Sequence, residues 1–305
     1  MLLRVLGSSA GGGFPQWNCN CPNCTGVRSG SLKALARTQS SIAVSADAQN
    51  WLLVNASPDI LTQIRQTPQL QPARARRDTG IAAVLLMDAQ IDHVTGLLML
   101  REHAGPLPLL ATKEVLSDIE DGFPLTRILS HYCGLAAQTI PSDGSRFTVE
   151  QLPGLHLEAI ALSSKPPPYS PWRNAPRPGD NIGLLMQNPT SGARVFYAPG
   201  LGEITEGLLA RMAQCDVVLI DGTFWTDDEM QRLGLSAKRA ADMGHLAQSG
   251  AGGMIEQLDR LPTSTRKILI HINNTNPILV EDSPQRMELA RHGIEVAYDG
   301  LEISF

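Results

Sequence analysis

No stretch of this 305-residue chain stays apolar for the roughly 20 positions that a helix needs to cross a bilayer, so no membrane insertion is expected. Basic residues are in no surplus. Lys and Arg number 25 against 30 Asp and Glu, a formal charge of −5, and the cations are scattered instead of forming the stripe of a nucleic-acid binder. The opening MLLRVLG lacks a basic segment running into a long apolar stretch and a small-residue cleavage site; it reads as a first strand, and the cytoplasm is the expected compartment. The glycine-rich loop after it, Gly7 to Gly13, contains neither G-x-G-x-x-G opening a helix nor G-x-x-x-x-G-K-[ST]. No phosphate cradle is expected there, and the glycines more simply let backbone pass close to a metal site or a ligand.

Cysteine is scarce, five in all, and the odd count argues against a disulfide framework. Three of the five sit together in Cys19-Asn20-Cys21-Pro22-Asn23-Cys24. In a cytosolic protein the pattern C-x-C-x-x-C argues for thiolate ligation of one structural Zn2+, with Pro22 and the asparagines making the turn of a loop over about residues 14–26. Cys133 and Cys215 lie among apolar residues and read as core thiols.

What the sequence has in quantity is apolar residues, 43% of the total, enough for a large core, and one α/β domain over residues 1–305 is the expectation. Its organising stretch is Ile81 to Leu100. An apolar, β-branched run breaks abruptly into Asp88, Gln90, Asp92 and His93, and Leu97 to Leu100 resume as a helix, so metal-binding groups stand at the end of a core strand. Strands are also expected at Ile42–Ser45, Trp51–Asn55, Leu107–Thr112, Leu155–Leu162, Asn181–Gln187 and Arg194–Ala198, and a helix over Lys113–Glu120.

The strand Leu155–Leu162 runs into Ser163, Ser164 and Lys165 and a proline-rich loop of about residues 165–178 that carries Tyr169, Trp172, Arg173 and Arg177. Cations and aromatics on a stiff loop suit a lid for an anionic, aromatic substrate; a surface loop stiffened by proline is the other reading. The strand Asp216–Asp221 ends in a carboxylate able to orient a metal-binding histidine, and the acidic run Asp227 to Glu229 reads as a solvated helix start. His245 lies on a loop before a helix near Gly253 to Leu258, and the strand Lys267 to His271 delivers its histidine into Asn273, Asn274 and Asn276.

The spacing D-x-Q-x-D-H-x-x-G-L, from Asp88 to Leu97, resembles the H-x-H-x-D-H-x-x-G-L loop of the metallo-β-lactamase superfamily. That resemblance implies an αββα sandwich of two mixed β-sheets flanked by helices, with His271 as the final metal ligand and His245 in the region of a proton-donating histidine. Asp88 and Gln90 replace the first two histidines, Ser163 and Ser164 fall where another ligand is usual, and Pro199 stands in place of a bridging aspartate. One metal is therefore expected, on Asp92, His93 and His271. Two histidines and a carboxylate suit Fe2+ used with O2, and equally Zn2+ with a water nucleophile.

Longer segments, among them GSSAGGGFPQWNCNCPNC, NASPDI, QIDHVTGLL, YAPGLG, DMGHLAQSGAGGM and IHINNTNPIL, resemble the pyrroloquinoline quinone (PQQ) biosynthesis protein B family. The cysteine loop also resembles that of carbon–phosphorus lyase phosphodiesterases, where a histidine completes the zinc site; Asn274 holds that place here, which leaves the fourth ligand open. The family resemblance implies an iron-dependent oxygenase that hydroxylates the tyrosine ring of a cross-linked Glu-Tyr intermediate. His245 with Asp88 or Gln90 would manage protons, Asp221 would support them, and Ser163, Ser164, Lys165, Tyr169, Arg173, Asn273 and Asn276 would meet the substrate. The implied partners are a small-molecule PQQ precursor or PQQ and other proteins of the pathway; no residue pattern marks a subunit interface, and for a homodimer an edge strand or the cysteine loop is the available surface. A zinc-dependent hydrolase and a non-enzymatic PQQ carrier are the alternative readings.

Overall fold

Side chains buried on both faces of a parallel strand favour an unbroken apolar run, and Ile81 to Leu85 is such a run. The computed structural model describes residues 1–305. They divide into two compact units, Met1–Gly7 with Ser40–Ala193 and Gly300–Phe305 in the first, and Ser8–Gln39 with Arg194–Asp299 in the second.

The first unit contains β1 (Leu2–Gly7), β2 (Ser41–Ser45), β3 (Trp51–Val54), β4 (Ile81–Leu85), β5 (Leu107–Ala111) and β6 (Leu135–Thr139). These six lie side by side in that order, and the C-terminal strand Glu302–Ser304 pairs with β1. β1, β2 and β3 run antiparallel, with Ile42 opposite Val54 and Val44 opposite Leu52 as a hairpin requires. From β3 to β6 the pairing is parallel. Three further strands of this unit, β7 (Asp143–Thr148), β8 (His156–Ala161) and β9 (Ile182–Gln187), form an antiparallel set.

Val84, Leu86, Val94, Leu97 and Leu109 are completely buried in one cluster. Each of these residues contributes about 1.5–3 kcal/mol by leaving water. Gly96 is a requirement of this packing. Its N–H donates to the Ala56 carbonyl at 2.9 Å, and a Cβ there would run into the carbonyl oxygens of Ala56 and Ser57.

Local structure departs from the sequence reading at three places, the first being the cysteine segment, where Pro22 opens a helix, Pro22–Ser29, capped by Cys21, in place of the expected turn. Asp92 and His93 lie on a short helical turn, Ile91–Val94, which leads at once into the helix Gly96–Met99. The turn starts where it does because Asp88 Oδ1 accepts the Gln90 N–H at 2.8 Å, a local bond that reverses the backbone. The helix expected over Lys113–Glu120 stops at Ser117 and widens into a π turn, Asp118–Gly122, where the Asp118 side chain is drawn inward to Ser170 and Arg177.

The second unit carries β10 (Arg194–Ala198), β11 (Val217–Asp221), β12 (Arg266–Ile270) and β13 (Ile294–Val296), which run parallel to one another in that order. Asp221 pairs with Ile270, so Asp221 and His271 leave the sheet at the same end, where the loops of parallel sheets carry their chemistry. No helix is long and apolar enough to cross a membrane.

Candidate metal centre

In the first unit the end of β4 is fixed from below, because Asn55 Oδ1 accepts the Met87 N–H at 2.9 Å. The next residue, Asp88, is 5% exposed and holds its Oδ1 2.8 Å from His93 Nδ1. A carboxylate behind an imidazole fixes the tautomer with the proton on Nδ1 and turns Nε2 outward as a ligand. His93 Nε2 faces Asp92 Oδ2 at 3.7 Å, the spacing of two donors around one ion. Asp88 is thus the orienting group of His93 in this structure, and Gln90 is half-buried on the turn that Asp88 starts.

Burial opposes a charged His93, yet the carboxylates of Asp88 and Asp92 outweigh it and raise the ring to about 9. The pocket favours a positive centre, which a proton or a metal ion can supply. Without metal, the protonated ring adds stability that is complete below its ordinary pKa and is lost as pH rises through about 9. Metal and proton compete for the same imidazole. The apparent metal affinity is therefore expected to rise about tenfold per pH unit up to about 9 and then level off, as read by competitive chelator titration.

The proline-rich loop is anchored beside this turn. The Tyr169 hydroxyl donates to the Ala89 carbonyl, and burial together with the Asp88 charge pushes its phenol upward. Ser170 Oγ donates to Asp118 at 2.7 Å, Arg177 pairs with Asp180 at 2.9 Å and Asp118 at 3.4 Å, and its guanidinium lies 4.7 Å over the Trp172 ring. Arg173 donates to the Pro166 carbonyl. The loop is tied to its surroundings through Arg177 and to itself through Arg173, whereas Lys165 and Ser163 are exposed and Ser164 is half-buried.

In the second unit a network forms around Asp221, which is fully buried. Its Oδ2 accepts the Leu201 N–H at 2.8 Å and lies 2.6 Å from His245 Nδ1; its Oδ1 accepts from Thr223 N–H at 2.9 Å and from the Thr223 hydroxyl at 2.6 Å. Burial works against the charge on Asp221, but His245 beside it more than compensates and holds the carboxyl below its usual range. Thr223 Oγ1 is also 3.1 Å from His245 Nδ1 and 3.0 Å from His271 Nδ1. The two rings stack at 5.6 Å, and His271 keeps a left-handed φ of 60° just past β12. Asp221, His245 and His271 are close enough to suggest a metal cluster of their own. With its oxygens taken up by four hydrogen-bond contacts, Asp221 is better placed to orient His245 than to ligate.

Sequence reasoning passed over Thr223. Its only signal is local: a Thr two residues after a strand-end Asp can close a turn on that carboxylate. Thr223→Val is expected to lower turnover about 10- to 100-fold, the usual effect of losing a group that orients a metal-binding histidine, with a displaced pH profile and an unchanged fold.

The cysteine loop belongs to this unit as well. Asn274 Nδ2 lies 3.2, 3.5 and 3.4 Å from the sulfurs of Cys19, Cys21 and Cys24, all three buried. A tetrahedral Zn2+ with Zn–S near 2.3 Å and Zn–O near 2.0 Å has ligand edges of about 3.5 Å, and the Asn274 amide lies at that distance from all three sulfurs. Burial raises Cys21 to about 12, while for Cys19 the neighbouring backbone N–H and thiols overcome burial and lower it. The three sulfurs lie within 4.8 Å of one another, close enough to share one cation.

The Asn273 and Asn276 side chains are used inside the unit. Asn276 Nδ2 donates to the carbonyls of Gly222 at 3.0 Å and Thr223 at 3.2 Å, and Asn273 Nδ2 donates to Thr275 Oγ1. Glu229, expected in a solvated run, is instead 4% exposed and accepts from Trp225 N–H at 2.8 Å and from the Thr275 hydroxyl. A carboxylate with such donors tolerates burial that bare charge density does not foretell.

Comparison with known proteins bears on both units. The Beta-lactamase superfamily domain matches residues 50–272. The chain is similar to coenzyme PQQ synthesis protein B of Cupriavidus necator, with 68% identity over 302 residues covering 99% of each. It is similar to the crystal structure of Zn2+-bound PqqB from Methylobacterium extorquens, with TM-score 0.91 and 39% identity over 100% of both chains. A diphosphatase of the PhnP family reaches TM-score 0.67 at 16% identity, covering 100% of this chain and 97% of its own, a likeness of fold alone. These likenesses bear out the expected α/β metallo-β-lactamase fold, with two mixed sheets of seven strands each and helices.

Proposed function

The chain belongs to the coenzyme PQQ synthesis protein B family within the β-lactamase superfamily, and from that premise we propose that it hydroxylates the tyrosine ring of a cross-linked Glu-Tyr intermediate, using Fe2+ and O2. Its place is in PQQ biosynthesis. In this reading residues 1–305 work as one cytoplasmic metallo-β-lactamase domain on a small-molecule precursor. Asp92, His93 and His271 hold the iron, and Cys19, Cys21, Cys24 and Asn274 hold the structural zinc.

The observation that carries the reading is Asp88 turned onto His93 Nδ1 at 2.8 Å. A carboxylate used to orient one imidazole is not a ligand for a second metal, and Gln90 offers only an amide. With donors for a single ion, the bridged hydroxide of two-metal hydrolases has no support, whereas two histidines and a carboxylate leave positions open for substrate and O2. Iron bound there would supply the one-electron chemistry that O2 requires.

The protein's own groups do the rest. Asp88 holds His93 in one tautomer, and Asp221, ionised and buried, keeps a proton on His245 Nδ1 so that Nε2 can take one from a phenol. Tyr169 walls the turn that bears Asp92, and Lys165, with Ser163 and Ser164, offers donors to substrate carboxylates.

The test is O2 uptake by protein reloaded anaerobically with Fe2+, given a cross-linked Glu-Tyr diamino acid and ascorbate. One oxygen atom should enter the ring and the other leave as water, with two electrons drawn from the reductant. Turnover of substrate by Zn2+-loaded protein without O2 would replace this reading with a hydrolase. Tight PQQ binding with no turnover of any precursor would replace it with a carrier.

A further inference from the structure

Asn181 stands opposite Asp88 in an isolated antiparallel bridge. Beside the bridge, Ile182 N–H donates to the Met87 carbonyl at 3.0 Å, the pattern that flanks a non-hydrogen-bonded pair. That pair type brings the two Cα atoms to about 4.5 Å and sets both side chains on one face. The Asp88 carboxylate on that face lies 2.8 Å from His93 Nδ1, so the Asn181 side chain rises beside the Asp88–His93 pair.

The backbone carbonyl of Asn181 is engaged in structure, accepting from Leu162 N–H at 2.9 Å. Its side chain is not. Asn181 is 7% exposed, and Nδ2 has no hydrogen-bond partner. Buried amide donors without a partner are rare, because the lost contact with water is uncompensated and an apolar residue of similar size would avoid the loss. A donor kept in that state opposite the Asp88 carboxylate is free to serve a bound molecule. Asp88 and Asp92 repel an anion, and a neutral N–H lets an anionic oxygen approach without adding a charge that competes for a metal.

We propose that Asn181 is a ligand-binding residue whose Nδ2 donates to a carboxylate or phenolate oxygen of the molecule held at the Asp92–His93 turn. This assignment rests on the metal centre proposed above.

The probe is PQQ itself, titrated by calorimetry into Zn2+-loaded wild type, Asn181→Leu, Asn181→Asp and His93→Ala, with the thermal midpoint of each metal-free protein measured alongside. Asn181→Leu should weaken binding about tenfold, the loss of one hydrogen bond to a charged acceptor, and should melt no lower than wild type. Asn181→Asp, which sets a third carboxylate on the turn, should weaken it further. If Asn181→Leu binds PQQ as wild type does while His93→Ala does not, the assignment to Asn181 is wrong and the metal centre stands. A lower midpoint for Asn181→Leu with unchanged affinity makes the amide structural and also overturns the assignment. Wild type and His93→Ala that bind alike, or not at all, remove the metal-centre reading, and the role of Asn181 falls with it.

Discussion

His93→Ala is expected to lose the active-site metal and on the order of 10³-fold or more in turnover, while the zinc of the cysteine loop stays in place. The ring is 2% exposed, its Nδ1 is held by Asp88 and its Nε2 faces Asp92. Removing it deletes a ligand and leaves a buried carboxylate without its partner. Breaking such a pair costs about 3–5 kcal/mol, so the metal-free variant should also melt earlier than metal-free wild type. Asp88→Asn separates the two effects, because it keeps the shape but withdraws the charge that sets the ring. Its metal affinity should fall about 10- to 100-fold. Metal content per protein molecule, measured by elemental analysis, is the check. A His93→Ala protein that retains both metals at full occupancy would show that the iron site lies elsewhere.

The second large effect belongs to the cysteine loop. Cys21→Ser is expected to abolish structural zinc and lower the thermal midpoint on the order of 10 °C, since the free energy of filling such a site is also folding free energy. Exhaustive chelation of wild type should reproduce the drop, because without a cation Cys21 is raised to about 12 and its sulfur stays protonated. Asn274 gives the finer test. Asn274→Ala should loosen zinc without disturbing Asn23, which bonds the Asn274 backbone carbonyl at 3.1 Å. Asn274→His should tighten it. Equal zinc affinity in the alanine and histidine variants would exclude residue 274 as the fourth ligand.

Much of this was written in local pattern. The apolar run ending at Asp88 announced a core strand with polar groups at its tip, and C-x-C-x-x-C announced a thiolate cluster, because both signals are contiguous in sequence. The roles that stayed hidden depend on contacts that only the folded backbone makes, near or far in sequence. Asp88 reads as a lost histidine until its distance to His93 shows it as the group behind the ring. Thr223 becomes informative only when β11 and β12 bring it to His271, 48 residues on. Asn181 is only the first residue of an expected strand until it is found opposite Asp88. Glu229 misled because charge density along a sequence predicts solvent, whereas Trp225 and Thr275 supply donors that let it go inside.

Just past β12, His271, with φ at 60°, and Asn274 are separated by two residues, and Ile272 between them is tied by N–H to the Ser8 carbonyl at 2.9 Å and by its carbonyl to Ala10 N–H at 2.9 Å. A zinc gripping Asn274 would splint this short stretch and hold His271 in its left-handed backbone, so the two metals should load in a fixed order, zinc first. On the proposed reading, protein made without zinc would then fail to load its reactive metal, for want of an ion that never meets the substrate.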